Sequence, residues 1–560
     1  MRRDYLQLAL LALLIFVPFL GGVHLFDWDE INFAESAREM ILTGNYFQPQ
    51  IDFEPFWEKP PLFIWMQVIA MKWFGVNEFA ARLPNALCGM ATVLVVYHIG
   101  RRLYDRHFAW LWVLAWLGSL LPHLYFRSGI IDPWFNLLIF CGLFGFIEFR
   151  WLFFTLKGEK SFFYRYRHLL LGGFLLGLAV LTKGPTAMLI VGLTLVLYWG
   201  KYRFKMKGYF MHLVLFFATA IFTAFLWFGA DILKNGTWFT YEFIVYQIRL
   251  FATPDSGHGG FFGYHVVVLL LGCLPASVFA IPNLWGDNQA EEEMLESSTL
   301  DACKRSDFTT FMQILFWVVL ILFSLVRTKI VHYSSLAYFP LTYLSALTLW
   351  RALHWDIRPR ISGFLLPVLG TLLGLVVAAI PFFGMRIKEF TYLFAKDPFA
   401  QANIQADVVW HPWQALPGIL FIIGIWVGWW LWRRGMVWQS AQFVFGGGVL
   451  FASLSMLFLV CNIEGYSQRA AIEFYESKRG EDCFVKNVGF KSFAPLFYSD
   501  KQWPGPDKAI DDQENLTRGN PGKKVYFVTK VTYKGNLLEL QGCKKLYEKN
   551  GFVFYERIPE

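Results

Sequence analysis

Charge is scarce in this chain. Only 16% of its 560 residues are Asp, Glu, Lys or Arg, against 56% hydrophobic and 19% aromatic residues, a balance that excludes an ordinary soluble enzyme. Cysteine is scarce too: there are seven, with no CxxC pair and no zinc-ribbon spacing, so a structural zinc module is not expected. Cys88, Cys141, Cys273 and Cys461 fall in or beside apolar runs, where a packed thiol is the default. Cys483 and Cys543 share a polar tail and could pair if that tail lies outside the cytoplasm. The sequence has no internal repeat and no low-complexity stretch, and so lacks the repeat symmetry common in transporters. No small-residue cleavage site follows Arg2 and Arg3, so the first apolar run reads as a signal anchor.

What the chain has instead is apolar segments of about 17–22 residues, each long enough for a bilayer core. Thirteen spans are expected, near 5–26, 83–100, 108–122, 131–149, 168–182, 185–200, 209–229, 262–283, 309–326, 333–350, 361–383, 415–433 and 443–461. The expected fold is an all-α polytopic membrane protein, 1–461, followed by a small α/β soluble domain, 462–560. That domain is expected to contain strands at Val525–Thr529 and Phe552–Tyr555. With the N-terminus inside, the loops on the cytoplasmic side carry Arg101, Arg102 and Arg106, then Lys157 through Arg167, then Lys201 to Lys207, Arg351 to Arg360, and Arg433 with Arg434. That is the positive-inside pattern. The acidic loop 284–308 fits it least well. The net charge of +8 is accounted for by these loops and does not imply nucleic-acid binding.

On the opposite side the sequence concentrates ionisable groups at membrane ends: Asp29, Glu30, Glu58, Lys59, Arg127, Asp132, Lys183, His258, Arg327, Lys329 and His332. A carboxylate costs about 2.5–3.5 kcal/mol at a bilayer centre by insertion scales, so acids this close need a site or water. In the first loop, 27–82, Asp29, Glu30 and Glu35 are expected at a water–lipid boundary, with Ile31, Ala34, Ile41 and Leu42 on one apolar helix face. A solvated amphipathic helix lying on the membrane is the plainer reading of the same stretch. Pro60 and Pro61 are expected to start an interfacial helix ending near Gly75. Lys59, Lys183 and Lys329 sit on the side that positive-inside statistics disfavour. Snorkelling would explain each alone; together they could converge on a phosphate at headgroup depth. Asp29 and Glu58 supply a carboxylate able to take a proton, or a pair able to hold a divalent cation. Glu58 with His258 would make an incomplete metal site, since two ligands seldom hold zinc alone. Asp132, before Pro133, is either part of a site or simply a helix N-terminal carboxylate.

Several motifs carry a resemblance: D-E-x-x-x-A-E from Asp29, Y-F-x-P-x-I from Tyr46, W-E-K-P-P from Trp57, R-S-G-I-I-D-P from Arg127, T-K-G from Thr182, H-G-G-F-F-G-Y from His258 and R-T-K-I-V-H-Y from Arg327. In this order they resemble the GT-C glycosyltransferases, in particular the protein O-mannosyltransferases and the 4-amino-4-deoxy-L-arabinose transferases of lipid A. The first-loop match is specific, and the resemblance covers roughly residues 5–350. It implies a polyprenyl-phosphate-linked sugar as donor, a lipid, glycan or protein acceptor, and inverting transfer on the periplasmic side of a bacterial inner membrane. Asp29, with Asp132, would be catalytic. Lys59, Lys183, Arg249, Lys329 and Tyr333 would hold the donor phosphate, and Glu30 and Arg127 would contact substrate. Glu58 and His258 would fall at a divalent metal site (zinc, magnesium or manganese). Two departures bear on the donor sugar: Asn32 stands where the arabinose branch usually has Arg, and Gln247 and Arg249 replace a His/Arg-bearing segment. The chain is expected to act as a monomer in the bilayer. The competing classes are a lipid or oligosaccharide transporter, and an oligosaccharide ligase of another GT-C branch.

Overall fold

The structure, a computed structural model, describes residues 2–155, 161–206, 208–252, 259–285, 300–502, 516, 519 and 522–558. Helices occupy all thirteen segments expected as spans. They are α1 (Arg2–Phe16), α4 (Glu78–Leu103), α5 (Arg106–Leu117) with α6 (Leu120–Leu124), α7 (Asp132–Thr155), α8 (Phe162–Lys183), α9 (Thr186–Lys201) and α10 (Tyr209–Asn235), then, beyond a further helix α11 (Trp238–Ala252), α12 (Tyr264–Gly272) with α13 (Ala276–Ala280), α14 (Leu300–Leu325), α15 (Tyr338–Trp355), α16 (Arg360–Met385), α17 (Leu416–Arg433) and α18 (Val437–Ser455). Among the described residues seven helices are long and apolar enough to cross a membrane, and nine if each of two bent pairs is one span. The chain is a multi-pass membrane protein.

Three spans differ from expectation. The first ends at Phe16, and a turn through Pro18, Gly21 and Gly22 carries the chain on. The third expected span, 108–122, bends by 81° after Leu117, and 262–283 bends by 106° between α12 and α13. Pro275, which offers no N–H to continue α12, explains the sharper bend. Most of the acidic loop expected to face the cytoplasm (residues 286–299), and part of the basic run after Lys157, lie outside the described residues.

The first loop folds into α2 (Asp29–Thr43), a two-stranded hairpin, β1 (Gln50–Ile51) and β2 (Glu54–Pro55), and α3 (Leu62–Phe74). Helix α3 follows Pro61 and stops at Gly75, whose φ is 79°, as the proline and glycine there dictate. Helix α2 corrects the sequence reading. It is not a solvated helix: every residue from Glu30 to Met40 is buried. Its charged side chains are internally paired instead. Arg38 grips both oxygens of Glu35 at 2.8 and 2.7 Å. Both carboxylate oxygens of Glu39 accept the backbone N–H groups of Asp52 and Phe53 at 2.7 Å. These two residues turn the hairpin with φ of 59° and 58°, the double left-handed geometry of a two-residue hairpin turn. Glu39 holds it in place. Burial and the neighbouring Glu35 carboxylate push Glu39 up to about 9.

The C-terminal segment contains α19 (Arg469–Ser477) and a four-stranded sheet of order β3-β4-β6-β5, formed by β3 (Cys483–Val488), β4 (Lys524–Lys530), β5 (Cys543–Lys549) and β6 (Phe552–Arg557). Both runs read as strands in the sequence become the central pair, with Phe527 opposite Tyr555. Cys483 and Cys543 sit on the two outer strands, roughly 14 Å apart at ordinary strand spacing, and are both free thiols. That is too far for a disulfide, so the possible pairing is corrected. The segment is no loose appendage. Ile31, Phe33 and Ala37 of α2 belong to one continuous apolar core with Ile472, Phe474, Phe497 and Phe554. Asp52 adds ion pairs to Lys501 at 2.6 Å and Lys486 at 3.3 Å, and Arg38 reaches Asp500 at 3.1 Å.

Candidate active site

Helices α7 and α8 run side by side, and their backbones nearly touch: a Cβ on Gly172 would lie 2.6 Å from the Gly142 carbonyl oxygen. Only glycine permits that approach. It places Asp132, at the N-terminus of α7, against Lys183, the last residue of α8, and the two form an ion pair. Each charge also suits its helix end, carboxylate at the N-terminus and ammonium at the C-terminus. A short 3₁₀ turn at Val331–Ala337 brings His332 and Tyr333 to the same point. It is tied to α7 by Asn136, which donates to the Tyr125 hydroxyl at 2.7 Å and to Ser335 Oγ at 2.8 Å.

These groups meet the first loop around a cavity of about 410 Å³. Asp29, Glu58, Lys59, Lys183, Arg249, His332 and Tyr333 all line it. His332 Nε2 lies 3.6 Å from Asp29 Oδ2 and 3.8 Å from Asp132 Oδ2, and Asp132 Oδ2 is buried with no hydrogen-bond partner. Burial pushes the His332 imidazolium down against the pull of Asp132 and Asp29, which favours the neutral ring. Burial likewise lowers Lys59, opposed by Glu58 and Asp29. Tyr246 lies beneath two cations, Lys59 at 5.0 Å and Arg249 at 5.2 Å from its ring centre. Lys183 stands 5.0 Å over the ring of Tyr333.

A second, smaller cavity of about 60 Å³ adjoins the first. Lys59, Lys183 and Tyr333 line both, while Phe135, Ile190, Phe323, Val326 and Leu336 make the far side apolar. Two ammonium groups and a phenol therefore stand at the partition between a polar chamber and a greasy one.

Three residues assigned to the site from sequence are engaged elsewhere. Glu30 borders the cavity, but Arg82 holds its two oxygens at 2.9 and 2.7 Å, and the N–H groups of Phe26 and Gly129 donate to it as well. Burial alone would raise Glu30; Arg82 and these N–H groups outweigh it and hold the carboxyl below its ordinary range. Its acceptor capacity is spent on the frame. Lys329 donates to the carbonyls of Phe323, Ser324 and Val326 at 2.9, 2.7 and 2.6 Å, closing the end of α14 away from the cavity. Arg127 is buried against the Pro18 carbonyl and does not line the cavity. His258 lies outside the described residues. Conversely, His332 and Lys491 line the cavity without a role in the sequence reading. His332 was visible as a charged group beside Tyr333. Lys491, at the rim and 5.1 Å over the Trp28 ring, comes from the C-terminal segment, and no motif marks it.

Residues 58–228 match the family model described as dolichyl-phosphate-mannose-protein mannosyltransferase. Among curated proteins, the undecaprenyl phosphate-α-4-amino-4-deoxy-L-arabinose arabinosyl transferase of Photorhabdus laumondii is 25% identical over 350 residues, 60% of this chain and 58% of that protein. The enzyme of the same name from an Enterobacter species is 28% identical over 62% of this chain and 60% of its own length. The matched region thus spans less than two thirds of these relatives. Among solved structures, ArnT from Cupriavidus metallidurans bound to undecaprenyl phosphate superposes with a TM-score of 0.74 at 20% identity, covering 99% of this chain and 98% of that one. These matches bear out the resemblance carried by the first-loop motifs, and the superposition shows that the chain has the GT-C fold.

Proposed function

We propose that this protein is an integral-membrane glycosyltransferase that moves a sugar from a polyprenyl-phosphate carrier to an acceptor hydroxyl on a lipid, glycan or protein. The observation that carries this reading is the partition. An amphiphilic phosphoester needs cations at its phosphate, an apolar slot for its chain and a polar chamber for its sugar, and Lys59, Lys183 and Tyr333 stand between two such spaces. Arnt-type relatives named for an undecaprenyl phosphate donor support the same class.

In this scheme Lys59, Lys183 and Arg249 hold the phosphate, with the Tyr333 hydroxyl as a neutral donor. The acceptor oxygen forms a bond to the anomeric carbon as the bond from that carbon to the phosphate oxygen breaks. The hydroxyl proton passes to Asp29, and the polyprenyl phosphate leaves with the electron pair, its charge met by the fixed cations. A weakly basic phosphate leaving group needs no strong general acid. Neutral His332 lies between Asp29 and Asp132 and sets the orientation of the base, while Asp132 anchors Lys183. Displacement from the opposite face inverts the anomeric centre. Glu58 faces the cavity and forms no hydrogen bond or ion pair among the described residues, which suits a metal ligand. A divalent ion held there with His258 would supply further positive charge beside the phosphate.

The scheme has the N-terminus in the cytoplasm and the cavity with the C-terminal segment in the periplasm of a bacterial inner membrane. The scheme takes the chain as a monomer in the bilayer. Lipid A is the acceptor class suggested by the aminoarabinose transferases, while Asn32 at the cavity wall, where that branch usually has Arg, argues for a different sugar.

The test is mass spectrometry of lipid and protein extracts from a deletion strain beside one complemented with Asp29→Asn. A sugar missing from a lipid in both strains supports glycolipid transfer; one missing from proteins moves the acceptor to protein. No glycan difference in either fraction, with the gene expressed, refutes the activity. Labelling of a cysteine placed in the C-terminal segment by an impermeant reagent checks the orientation, and protection in intact spheroplasts would reverse it.

A further inference from the structure

Away from the cavity, three segments distant in sequence converge on a second cluster. His24 follows α1, Glu78 opens α4, and Glu476 lies in the last turn of α19 in the C-terminal segment. One donor atom from each lies within 4.8 Å of the others. The histidine is held in a defined orientation. Its Nδ1 is 3.1 Å from Oε1 of Glu464, a carboxylate with 1% side-chain exposure, whose other oxygen is 2.7 Å from Arg469. Its ring packs edge-on against Tyr498 at 5.5 Å. With Nδ1 against Glu464, Nε2 faces Glu476 Oε1, 3.9 Å away. A carboxylate fixing the far nitrogen of an imidazole is the arrangement that orients metal-ligating histidines and sets their tautomer.

We propose that His24, Glu78 and Glu476 form a divalent-cation site for an ion of the zinc or manganese class, fastening the C-terminal segment to the frame of the cavity. One imidazole nitrogen and two carboxylate oxygens are a donor set for such borderline ions. Ligand bonds of about 2.0–2.2 Å require these atoms to close by roughly an ångström, which carboxylate rotation at Glu78 and Glu476 provides. Glu464 is already paired with Arg469, and a divalent ion would offset the charges of Glu78 and Glu476. The consequence reaches the site through α4: one turn after Glu78 stands Arg82, which grips Glu30 beside Asp29. The proposal is independent of the transfer reaction and separate from Glu58.

The test uses the purified full chain in detergent, stripped with chelator and titrated with Zn²⁺, then with Mn²⁺. Calorimetry, elemental analysis and the shift in thermal midpoint are the readouts. Wild type should bind one equivalent more than His24→Ala or Glu476→Gln, and the ion-induced rise in midpoint should largely vanish in both. Affinity at this site should fall at least tenfold, on the order seen when a metal site loses a supporting group. Glu58→Gln should keep that equivalent, which separates this site from the cavity. Should His24→Ala fail to fold, Glu476→Gln decides, because that side chain is 43% exposed. Wild-type stoichiometry and midpoint shift in Glu476→Gln would overturn the proposal, as would a wild-type chain that binds neither ion.

Discussion

Asp29 and Glu30 are neighbours on the first turn of one helix, and the structure gives them opposite tasks. Glu30 accepts from Arg82, Phe26 and Gly129 and is 4% exposed. Asp29 opens on the cavity with 39% of its side chain accessible, and the His332 ring lies 3.6 Å away. The same contrast separates Lys329, whose ammonium is saturated by three carbonyls, from Lys183, which shares a carboxylate and faces both chambers. In this protein the saturated charges build the frame, and those left partly unsatisfied line the cavities.

The largest effect should come from Asp29→Asn. It should lower transfer by about 10²–10⁴-fold, the range for a general base, with the thermal midpoint unchanged. Turnover near wild type in an assay with labelled donor would erase the contrast. Glu30→Gln should fail in the other way. Breaking a buried pair costs about 3–5 kcal/mol, so unfolding temperature and yield in detergent should drop steeply; a stable Glu30→Gln protein lacking only activity would give Glu30 a substrate role after all. Next come the lysines. Lys183→Ala should raise the donor KM about tenfold or more, from the loss of about 1.5–3 kcal/mol of charged hydrogen bonding. Lys329→Ala should cost stability and leave the donor KM unchanged. Equal KM changes in both would restore Lys329 to the phosphate site.

The smallest effect concerns the joint with the C-terminal segment. Burial would raise Asp52, but Lys501 and Lys486 outweigh it and hold its carboxyl below the ordinary aspartate range. Its stabilisation is therefore present above that ordinary range and is lost as pH falls through the lowered folded value. Asp52→Asn should cost about 1 kcal/mol near neutrality and flatten the acid limb of the stability profile. An unchanged acid limb would show that the apolar core alone carries the joint.

The helices were legible because their ends are written locally: Asn77 caps α4 by accepting from Ala80 N–H, and Gly75 ends α3. Asp29, Lys59, Lys183 and Tyr333 were legible because unusual charge stands at membrane ends inside an ordered set of motifs. What sequence does not display is partnership. Arg82 lies 52 residues beyond Glu30, so nothing near Glu30 reveals that its oxygens are taken. Lys329 looks like a cation for an anion until the carbonyls of its own helix end are placed around it. Helix α2 carries an amphipathic pattern, but its polar face is covered by the C-terminal segment and the hairpin, and no local pattern reports that cover. Lys491 reaches the cavity for the same reason and was equally invisible.

The joint between Asp52 and Lys501 spans 449 residues of chain. At translation rates of about 5–20 residues per second, the partner arrives roughly 20–90 s after the loop that needs it. Throughout that interval α2 lacks the apolar packing of Ile472, Phe474, Phe497 and Phe554, and the cavity rim lacks Lys491. The first loop to be synthesised is thus among the last parts to mature, and a ribosome-bound chain holds no finished cavity.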